Sequence, residues 1–288
     1  MAGGTATEKK AWTYIDGTWH EGNPPIMGPL TQAAWLSAVI FDGARAFQRK
    51  VPDLDLHCAR AVQSALLMGL KPKVDAKTIE TLAREGVAKF PADAELYIRP
   101  MFFAEGGGVE PDPDTTRFIL TIYDSPLPKD VPFKACLSPF RRPTPETAPT
   151  EAKASCLYPN VSRTLKAARE RGFENAVMLD AAGNVAEFAS ANLFIVKDGA
   201  AHTPIPNGCF LNGVTRQRVI KLLREAGVEV QERRITFSEV LAADEVFSTG
   251  NYAKVLACSR VEDRDFQPGP VYRKAREIYF KYAESARL

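Results

Sequence analysis

A proline-rich stretch near the middle of the chain separates two parts that differ in their pattern of hydrophobic residues. Residues 124–133 read DSPLPKDVPF, with three prolines and no hydrophobic periodicity, which is typical of an exposed linker. With 288 residues, the chain is as long as about two typical domains. We therefore predict a small N-terminal domain over residues 1–123, the linker over 124–133, and a large C-terminal domain over 134–288.

The N-terminal part combines hairpin, helix and strand patterns. Asp16-Gly17, flanked by aromatic and β-branched residues, is typical of a type I′ turn. Asp75 precedes a run of apolar residues at helical spacing, where its side chain can cap the helix. We predict a hairpin over 12–19, helices over 54–70 and 75–90, and strands over 96–99 and 116–123.

The C-terminal part contains many short strand patterns and three helical ones. The strands are predicted over 135–140, 176–179, 184–187 and 192–196, and the helices over 161–172, 212–226 and 271–288. These strands are too short and too numerous for a doubly wound parallel sheet. The fold class predicted for the chain is therefore α+β, in two domains.

Charge and cysteine content exclude several classes of protein. With 37 basic and 35 acidic residues the net charge is +2, and no block of like charge favours nucleic acid or a membrane surface as a partner. The five cysteines form no C-x-x-C pair, and residues 1–10 lack the apolar stretch of a leader peptide. No run of about 18 apolar residues predicts a membrane span. We expect a cytoplasmic protein with free thiols and no metal site.

Two charged residues stand in contexts that are unusual for a solvated surface. Lys153 lies between two alanines, and burial there would favour the neutral, nucleophilic form of its amine. Glu187 lies in a strand of small and apolar residues, so it is either solvent-facing or buried beside a cation. Taken alone, each pattern is also compatible with an ordinary surface residue.

Two further patterns indicate binding of anions. Gly213 and Thr215 stand at the start of a predicted helix, where free N–H groups favour a phosphate, although Asn212 or Thr215 could equally cap that helix. The loop at 248–251 offers either a second cradle or a plain turn. Tyr97 and Arg99 share one face of a strand, either as a carboxylate clamp or as a surface pair.

Seven segments, in this order, resemble the class IV aminotransferases of the branched-chain type. They are Phe41–Arg45 (FDGAR), Leu56–Arg60 (LHCAR), Tyr97–Pro100 (YIRP), Lys153 with Tyr158, the block from Met178 through Glu187 to Asn192, Leu211–Arg216 (LNGVTR), and Asp244–Gly250 (DEVFSTG). Lys153 and Glu187 are 34 positions apart, which agrees with the family without a gap, whereas Lys166 fails this spacing.

The resemblance implies the pyridoxal phosphate (PLP) fold of type IV. In that fold a small N-terminal α/β domain and a larger C-terminal domain hold PLP in the cleft between them, and family members are homodimers. Lys153 would hold PLP as a Schiff base and transfer the proton, while Glu187 would pair with the pyridine nitrogen. The remaining residues carried over are Arg60, Tyr158, Asn192, Gly213, Val214, Thr215, Thr249, Gly250 and Asn251 for the cofactor, and Leu36, Phe41, Arg45, Tyr97, Arg99 and Tyr252 for the substrate.

The chain departs from the family pattern near the substrate. Trp35-Leu36-Ser37 stands where many members have His-Tyr-Gly, and Thr249-Gly250-Asn251-Tyr252 replaces Ser-Gly-Thr-Ala. The leading hypothesis is transamination from an amino acid, with branched-chain L-amino acids as first candidates, to a 2-oxo acid such as 2-oxoglutarate. The alternatives are an (R)-selective amine transaminase, a D-amino-acid aminotransferase, an aminodeoxychorismate lyase and a non-catalytic scaffold of the same fold.

Overall fold

The computed structural model describes residues 9–286, which form two compact units. The first unit contains the described residues up to Leu127, the segment Ala152–Cys156 and the described residues from Ala283 onward. The second contains Pro128–Glu151 and Leu157–Tyr282. No pattern in the sequence predicts that residues 152–156 pack with the first unit. Residues 1–8, which make up most of the segment predicted to lack a leader, lie outside the described residues, as do the last two of the predicted final helix.

The first unit is built on an antiparallel sheet of six strands. Its strands are β1 (Ala11–Ile15), β2 (Thr18–Glu21), β3 (Val39–Phe41), β4 (Ala44–Phe47), β5 (Glu95–Ala104) and β6 (Thr116–Asp124). Their order is β2-β1-β6-β5-β3, and β4 also pairs with β5. The predicted hairpin is confirmed, because β1 pairs with β2 and both Asp16 and Gly17 have the positive φ of a type I′ turn.

Two helices, α2 (Leu54–Leu67) and α3 (Ala76–Ala88), cover one face of this sheet. The short helix α1 (Gln32–Leu36) instead contributes Ala33 to a separate cluster with Val39 and Phe103. Asp75 caps α3 as predicted, since its side chain accepts a hydrogen bond of 2.8 Å from the Thr78 N–H. The core between helices and sheet contains Ile79 of α3 and Ile98 of β5, both almost fully buried. Burial of this apolar stripe, more than helix propensity, stabilises helices of this length.

The second unit is built on a mixed sheet of nine strands. They are β7 (Phe133–Leu137), β8 (Asn175–Leu179), β9 (Val185–Phe188), β10 (Asn192–Lys197), β11 (Ala200–Pro204), β12 (Val230–Arg233), β13 (Glu245–Gly250), β14 (Lys254–Val261) and β15 (Arg264–Asp265). Their order is β12-β11-β10-β13-β14-β7-β8-β9, with β15 paired to β14. The pairs β11–β12, β14–β7 and β7–β8 are parallel and the others antiparallel. The predicted α+β class is confirmed.

Four helices follow in the second half of the described chain. They are α4 (Tyr158–Glu170), α5 (Val214–Glu225), α6 (Phe237–Leu241) and α7 (Pro270–Ser285). None of the helices in the described residues is long and apolar enough to cross a membrane. Helix α4 begins three residues earlier than predicted, because Pro159 is tolerated in the first helical turn, where no N–H partner is needed.

Candidate functional site

Lys153 is fixed through its backbone in the first unit. Its N–H donates to Ser64 Oγ on α2 (3.1 Å), and its carbonyl accepts from the Phe41 N–H (3.2 Å). The next residue, Ala154, forms a β-bridge with Ile40 of β3. The Lys153 Nζ lies 4.9 Å from the centre of the Phe41 ring. Contacts on both sides of its backbone therefore set the direction in which this half-buried lysine extends.

A buried carboxylate in the same unit organises two basic residues of α2. Asp42, in the turn between β3 and β4, is fully buried. Its oxygens accept hydrogen bonds from Arg60 Nε (2.7 Å) and Nη2 (2.9 Å), and the Oδ1 lies 2.7 Å from His57 Nδ1. The planar guanidinium is thus held in the bidentate geometry that carboxylates favour. Arg60, predicted to bind phosphate, has its orientation fixed by Asp42.

The predicted substrate residues of β5 form an aromatic and cationic group with β6. Tyr97 stacks on Tyr123 with ring centres 5.4 Å apart, and Arg99 hydrogen-bonds to the Tyr123 hydroxyl. Burial raises the pKa of Tyr123 and outweighs the opposing effect of the Arg99 charge. Within the described residues, the buried Arg99 Nε has no hydrogen-bond partner. It is therefore an open donor, as a carboxylate clamp requires.

Arg45 differs from Tyr97 and Arg99 in its surroundings. Its side chain is fully buried and donates to the Ser125 carbonyl (2.6 Å) and hydroxyl (3.1 Å), which ties β4 to the end of β6. These contacts support a structural role for Arg45. Leu36 is half-buried at the end of α1.

Glu187 occupies a buried, cation-paired position in the second unit. Only 8% of the residue is exposed, and its Oε1 lies 3.2 Å from the Nε of the equally buried Arg142. Its Oε2 accepts a hydrogen bond of 3.1 Å from Asn192 Nδ2 on β10, the next strand along the chain. A buried carboxylate needs such partners to offset the loss of its hydration. The Glu187 side chain is therefore held in place on both of its oxygens.

Asn192 also lies beside the start of α5 and the end of β13. A side chain at Gly213, the N-cap of α5, would place its Cβ only 2.1 Å from Asn192 Oδ1, so this close approach requires glycine. Asn192 is directly opposite Thr249 in the sheet. No side chain caps α5, and Asn212 Oδ1 instead accepts from Arg216 (2.7 Å). The alternative that Asn212 or Thr215 caps this helix is therefore wrong.

Two buried polar atoms near this point have no hydrogen-bond partner among the described residues. They are the hydroxyl of the fully buried Thr249 and the Nδ2 of Asn251. Leaving such an atom unpaired costs about 1–3 kcal/mol. A bound phosphate would satisfy both, together with the free N–H groups of Val214 and Thr215 at the first turn of α5. The residues present therefore fit the phosphate of PLP.

The two tyrosines predicted to contact cofactor or substrate, Tyr158 and Tyr252, are more exposed than the residues described above. Tyr158, the first residue of α4, is 39% exposed, and Tyr252, in the turn after β13, is 52% exposed. Both can therefore be reached by a ligand.

Three residues of these groups had no predicted role. Asp42 lies inside the Phe41–Arg45 segment, but the resemblance assigns roles only to the first and last residues of that segment. Arg142 lies in a proline- and threonine-rich loop, 45 positions before Glu187, and nothing local indicates their contact. Lys254 is buried, and its Nζ donates to Asn251 Oδ1 (2.8 Å). It precedes the apolar run Val-Leu-Ala-Cys, and that context could have indicated its burial.

Comparison with known proteins places this arrangement in a family. The profile of the family described as Amino-transferase class IV matches residues 39–261. The chain belongs to the class IV aminotransferases. The predicted family, its fold and PLP-dependent transamination are thereby confirmed.

Individual class IV aminotransferases resemble the chain over nearly its whole length. An aminotransferase from Brucella abortus bound to PLP has 47% sequence identity and a TM-score of 0.94, covering 96% of this chain and 99% of that one. A branched-chain-amino-acid aminotransferase from Salmonella typhimurium is 33% identical over 95% of this chain and 93% of its own. The branched-chain aminotransferase of Thermoproteus uzoniensis, solved with norvaline, is 27% identical with a TM-score of 0.88, over 96% and 95% of the two chains.

Proposed function

We propose that this class IV aminotransferase transfers the amino group of a branched-chain L-amino acid to a 2-oxo acid such as 2-oxoglutarate. The observation that carries the proposal is the position of Asn192, which contacts the Glu187 carboxylate and lies opposite Thr249, an open donor. An anion on β9 and a set of phosphate-binding donors at the end of β13, both beside Asn192 of β10, suit the ring nitrogen and the phosphate of one PLP molecule.

PLP, when bound, supplies an aldehyde that bonds to amines and a protonated ring that withdraws electrons from the reacting carbon. Lys153 Nζ would hold the cofactor covalently and would carry the proton of the substrate α-carbon. Glu187 would pair with the ring nitrogen, and Arg142 offsets the cost of burying the Glu187 carboxylate.

The other predicted residues would hold the rest of the cofactor. The phosphate would be bound by Arg60, Val214, Thr215, Thr249, Gly250 and Asn251, and Gly213 leaves space for Asn192. Tyr158 would contact the phenolic oxygen of the ring. These assignments are supported by the open donors of Thr249 and Asn251 and by the orientation of Arg60 on Asp42.

The substrate proposal is supported by the relatives and by the first unit. The Salmonella typhimurium relative is a branched-chain-amino-acid aminotransferase, and the Thermoproteus uzoniensis structure contains norvaline, an apolar amino acid. Arg99 offers a donor for the substrate carboxylate, and Phe41, Tyr97, Leu36 and Tyr252 supply apolar surface for its side chain. We further propose that the enzyme is a cytoplasmic homodimer, which agrees with its free cysteines and with its family.

The test is the visible absorbance of the purified protein during addition of L-leucine, D-alanine or (R)-1-phenylethylamine. We expect a yellow protein that L-leucine bleaches at a far lower concentration than the other donors. Bleaching by the (R)-amine alone would replace this proposal with the amine transaminase. Lys153→Ala should abolish both the Lys153-dependent colour and turnover, whereas the control Lys166→Ala, at an exposed lysine of α4, should keep both.

A further inference from the structure

Lys254 occupies an unfavourable position for a lysine at the turn between β13 and β14. Only 1% of the residue is exposed, and its φ of 63° lies in the left-handed region that favours glycine. Gly250 and Lys254 are paired across the turn, which leaves Asn251, Tyr252 and Ala253 as a three-residue loop. Burial of an ammonium group costs free energy, and so does a left-handed backbone at a residue other than glycine. A specific contact must therefore offset both costs at Lys254.

That contact is made with Asn251, one of the residues proposed to bind phosphate. Lys254 Nζ lies 2.8 Å from Asn251 Oδ1, and the ring of Tyr279 on α7 lies 5.9 Å from the same nitrogen. An ammonium group has donors only, so the Asn251 atom that faces it must be the carbonyl oxygen. The amide nitrogen is then forced to the other side, where it is buried and has no hydrogen-bond partner among the described residues.

Thr249 adds an independent observation at the same strand end. It is fully buried, and its hydroxyl also has no hydrogen-bond partner in the part of the chain that the structure describes. Two open donors, two residues apart, indicate a ligand with several acceptor oxygens. The positive charge of Lys254 beside them favours an anionic ligand.

We propose that Lys254 is a positioning residue, which orients the Asn251 amide so that its Nδ2 donates a hydrogen bond to the cofactor phosphate. This inference rests on the proposed binding of PLP. The orientation by Lys254 explains how Asn251 can bind phosphate at a position where the family pattern has threonine. A hydroxyl group rotates freely and can donate in any direction, whereas an amide must be turned so that its nitrogen faces the acceptor.

The experiment compares the affinity of the apoenzyme for PLP and for pyridoxal, which lacks the phosphate. Both can bond to Lys153, so the ratio of their dissociation constants isolates phosphate binding. Lys254→Met should raise the Kd for PLP about tenfold, the usual effect of losing a hydrogen bond to a charged group, and should leave that for pyridoxal unchanged. Lys254→Gln, which is neutral but can donate to Asn251 Oδ1, should restore PLP affinity.

A double variant distinguishes orientation from direct charge. If Lys254 acts through Asn251, Lys254→Met should have no further effect on PLP affinity in an Asn251→Ala background. An additive loss in the double variant would overturn the proposal, as would a Lys254→Gln variant no better than Lys254→Met. An equal loss of pyridoxal affinity would show that Lys254 is merely structural.

Two controls keep the outcome interpretable. If Lys254→Met fails to fold, as judged by unfolding of the apoenzyme, Asn251→Asp replaces it, since it keeps an acceptor for Lys254 but places a carboxylate where the donor was. Asn251→Asp should weaken PLP binding more than Asn251→Ala, and wild-type affinity would overturn the proposal. Failure of the proposed function itself would look different, because even the wild-type protein would then show no Lys153-dependent binding of PLP.

Discussion

Buried charged residues in this enzyme are held by partners that also determine where each group points. Glu187 is fixed from one side by Arg142 and from the other by Asn192. These contacts offset the cost of burying the carboxylate. They also leave it little freedom to rotate. A preorganised anion of this kind stabilises a positive charge on a ligand without a cost of reorganisation.

Replacement of Glu187 by glutamine tests this role at the level of one residue. Glu187→Gln keeps the size and the hydrogen bond from Asn192 but removes the charge that we propose to pair with the ring nitrogen. We expect the variant to bind PLP and to lose L-leucine-dependent bleaching by about a hundredfold in rate, measured in single turnovers. Glu170→Gln, at an exposed glutamate of α4, is the matched control and should be unaffected. A near wild-type rate in Glu187→Gln would show that another group protonates the ring.

Local sequence identified some of the important residues and missed others for a physical reason. Lys153 and Glu187 were noticeable because small, apolar neighbours are a poor context for a charge. Arg142 was not noticeable, because it contacts Glu187 only after folding brings together two segments that are 45 positions apart. The open donors of Thr249 and Asn251 are likewise a property of the folded chain, since a sequence does not show which hydrogen bonds remain unmade.

Between elements, Asp42 links the β3–β4 turn to helix α2. Its carboxylate accepts from the Gly43 N–H (2.7 Å) and from Arg60, and contacts His57. Burial by itself would raise the pKa of Asp42, but Arg60 and His57 outweigh that effect and hold the pKa well below its ordinary value of 3.8. A depressed carboxyl pKa contributes stability at pH values above the unfolded pKa, and that contribution is lost as the pH falls towards the folded one.

Asp42→Asn should therefore lower the free energy of unfolding at neutral pH, and the difference from the wild type should shrink below about pH 4. Urea unfolding of both proteins at about pH 7, 5 and 3 measures this. The control is Asp114→Asn, whose partner Lys71 and own side chain are both mostly exposed, so that little change is expected. A constant difference between wild type and Asp42→Asn across this range would contradict the assigned pH dependence.

Element types followed from periodicity more reliably than element ends or pairing. The predicted helix over 54–70 ends at Leu67, where the Met68 N–H bonds back to the last turn and Gly69 takes a positive φ. Such an end depends on a few backbone hydrogen bonds rather than on an apolar stripe. The parallel pairing of β7 with β14 and β8 joins strands far apart in sequence, and strand patterns alone do not specify it.

At the scale of the whole molecule, the sequence predicts a linker but not which segments form each unit. The linker is predicted from the proline-rich composition of residues 124–133. Composition does not predict that Ala152–Cys156 packs with the first unit, because this packing depends on single backbone contacts such as that between Lys153 and Ser64. That packing assigns Lys153 to the first unit, whereas Glu187 belongs to the second.

The proposed homodimer makes its own prediction about exposed apolar residues of the first unit. Leu30, Trp35 and Val109 are 92%, 60% and 88% exposed. The loops that carry these residues lie close together. The Gln32 N–H donates to the Glu105 carbonyl (2.8 Å), and the Gln32 side-chain amide donates to the Gly108 carbonyl (3.4 Å). Burying one such large apolar side chain stabilises a complex by about 2 kcal/mol. A second copy of the chain would remove this group from water.

We therefore expect Leu30→Glu and Val109→Glu to weaken the dimer, because each places a charge in an apolar contact. Sedimentation velocity over a range of protein concentrations measures the change. Val131→Glu is the matched control, since Val131 is 65% exposed but belongs to the second unit, and this variant should remain dimeric. A wild-type protein that is monomeric throughout would refute the homodimer, whereas dimeric Leu30→Glu and Val109→Glu variants would move the interface away from these loops.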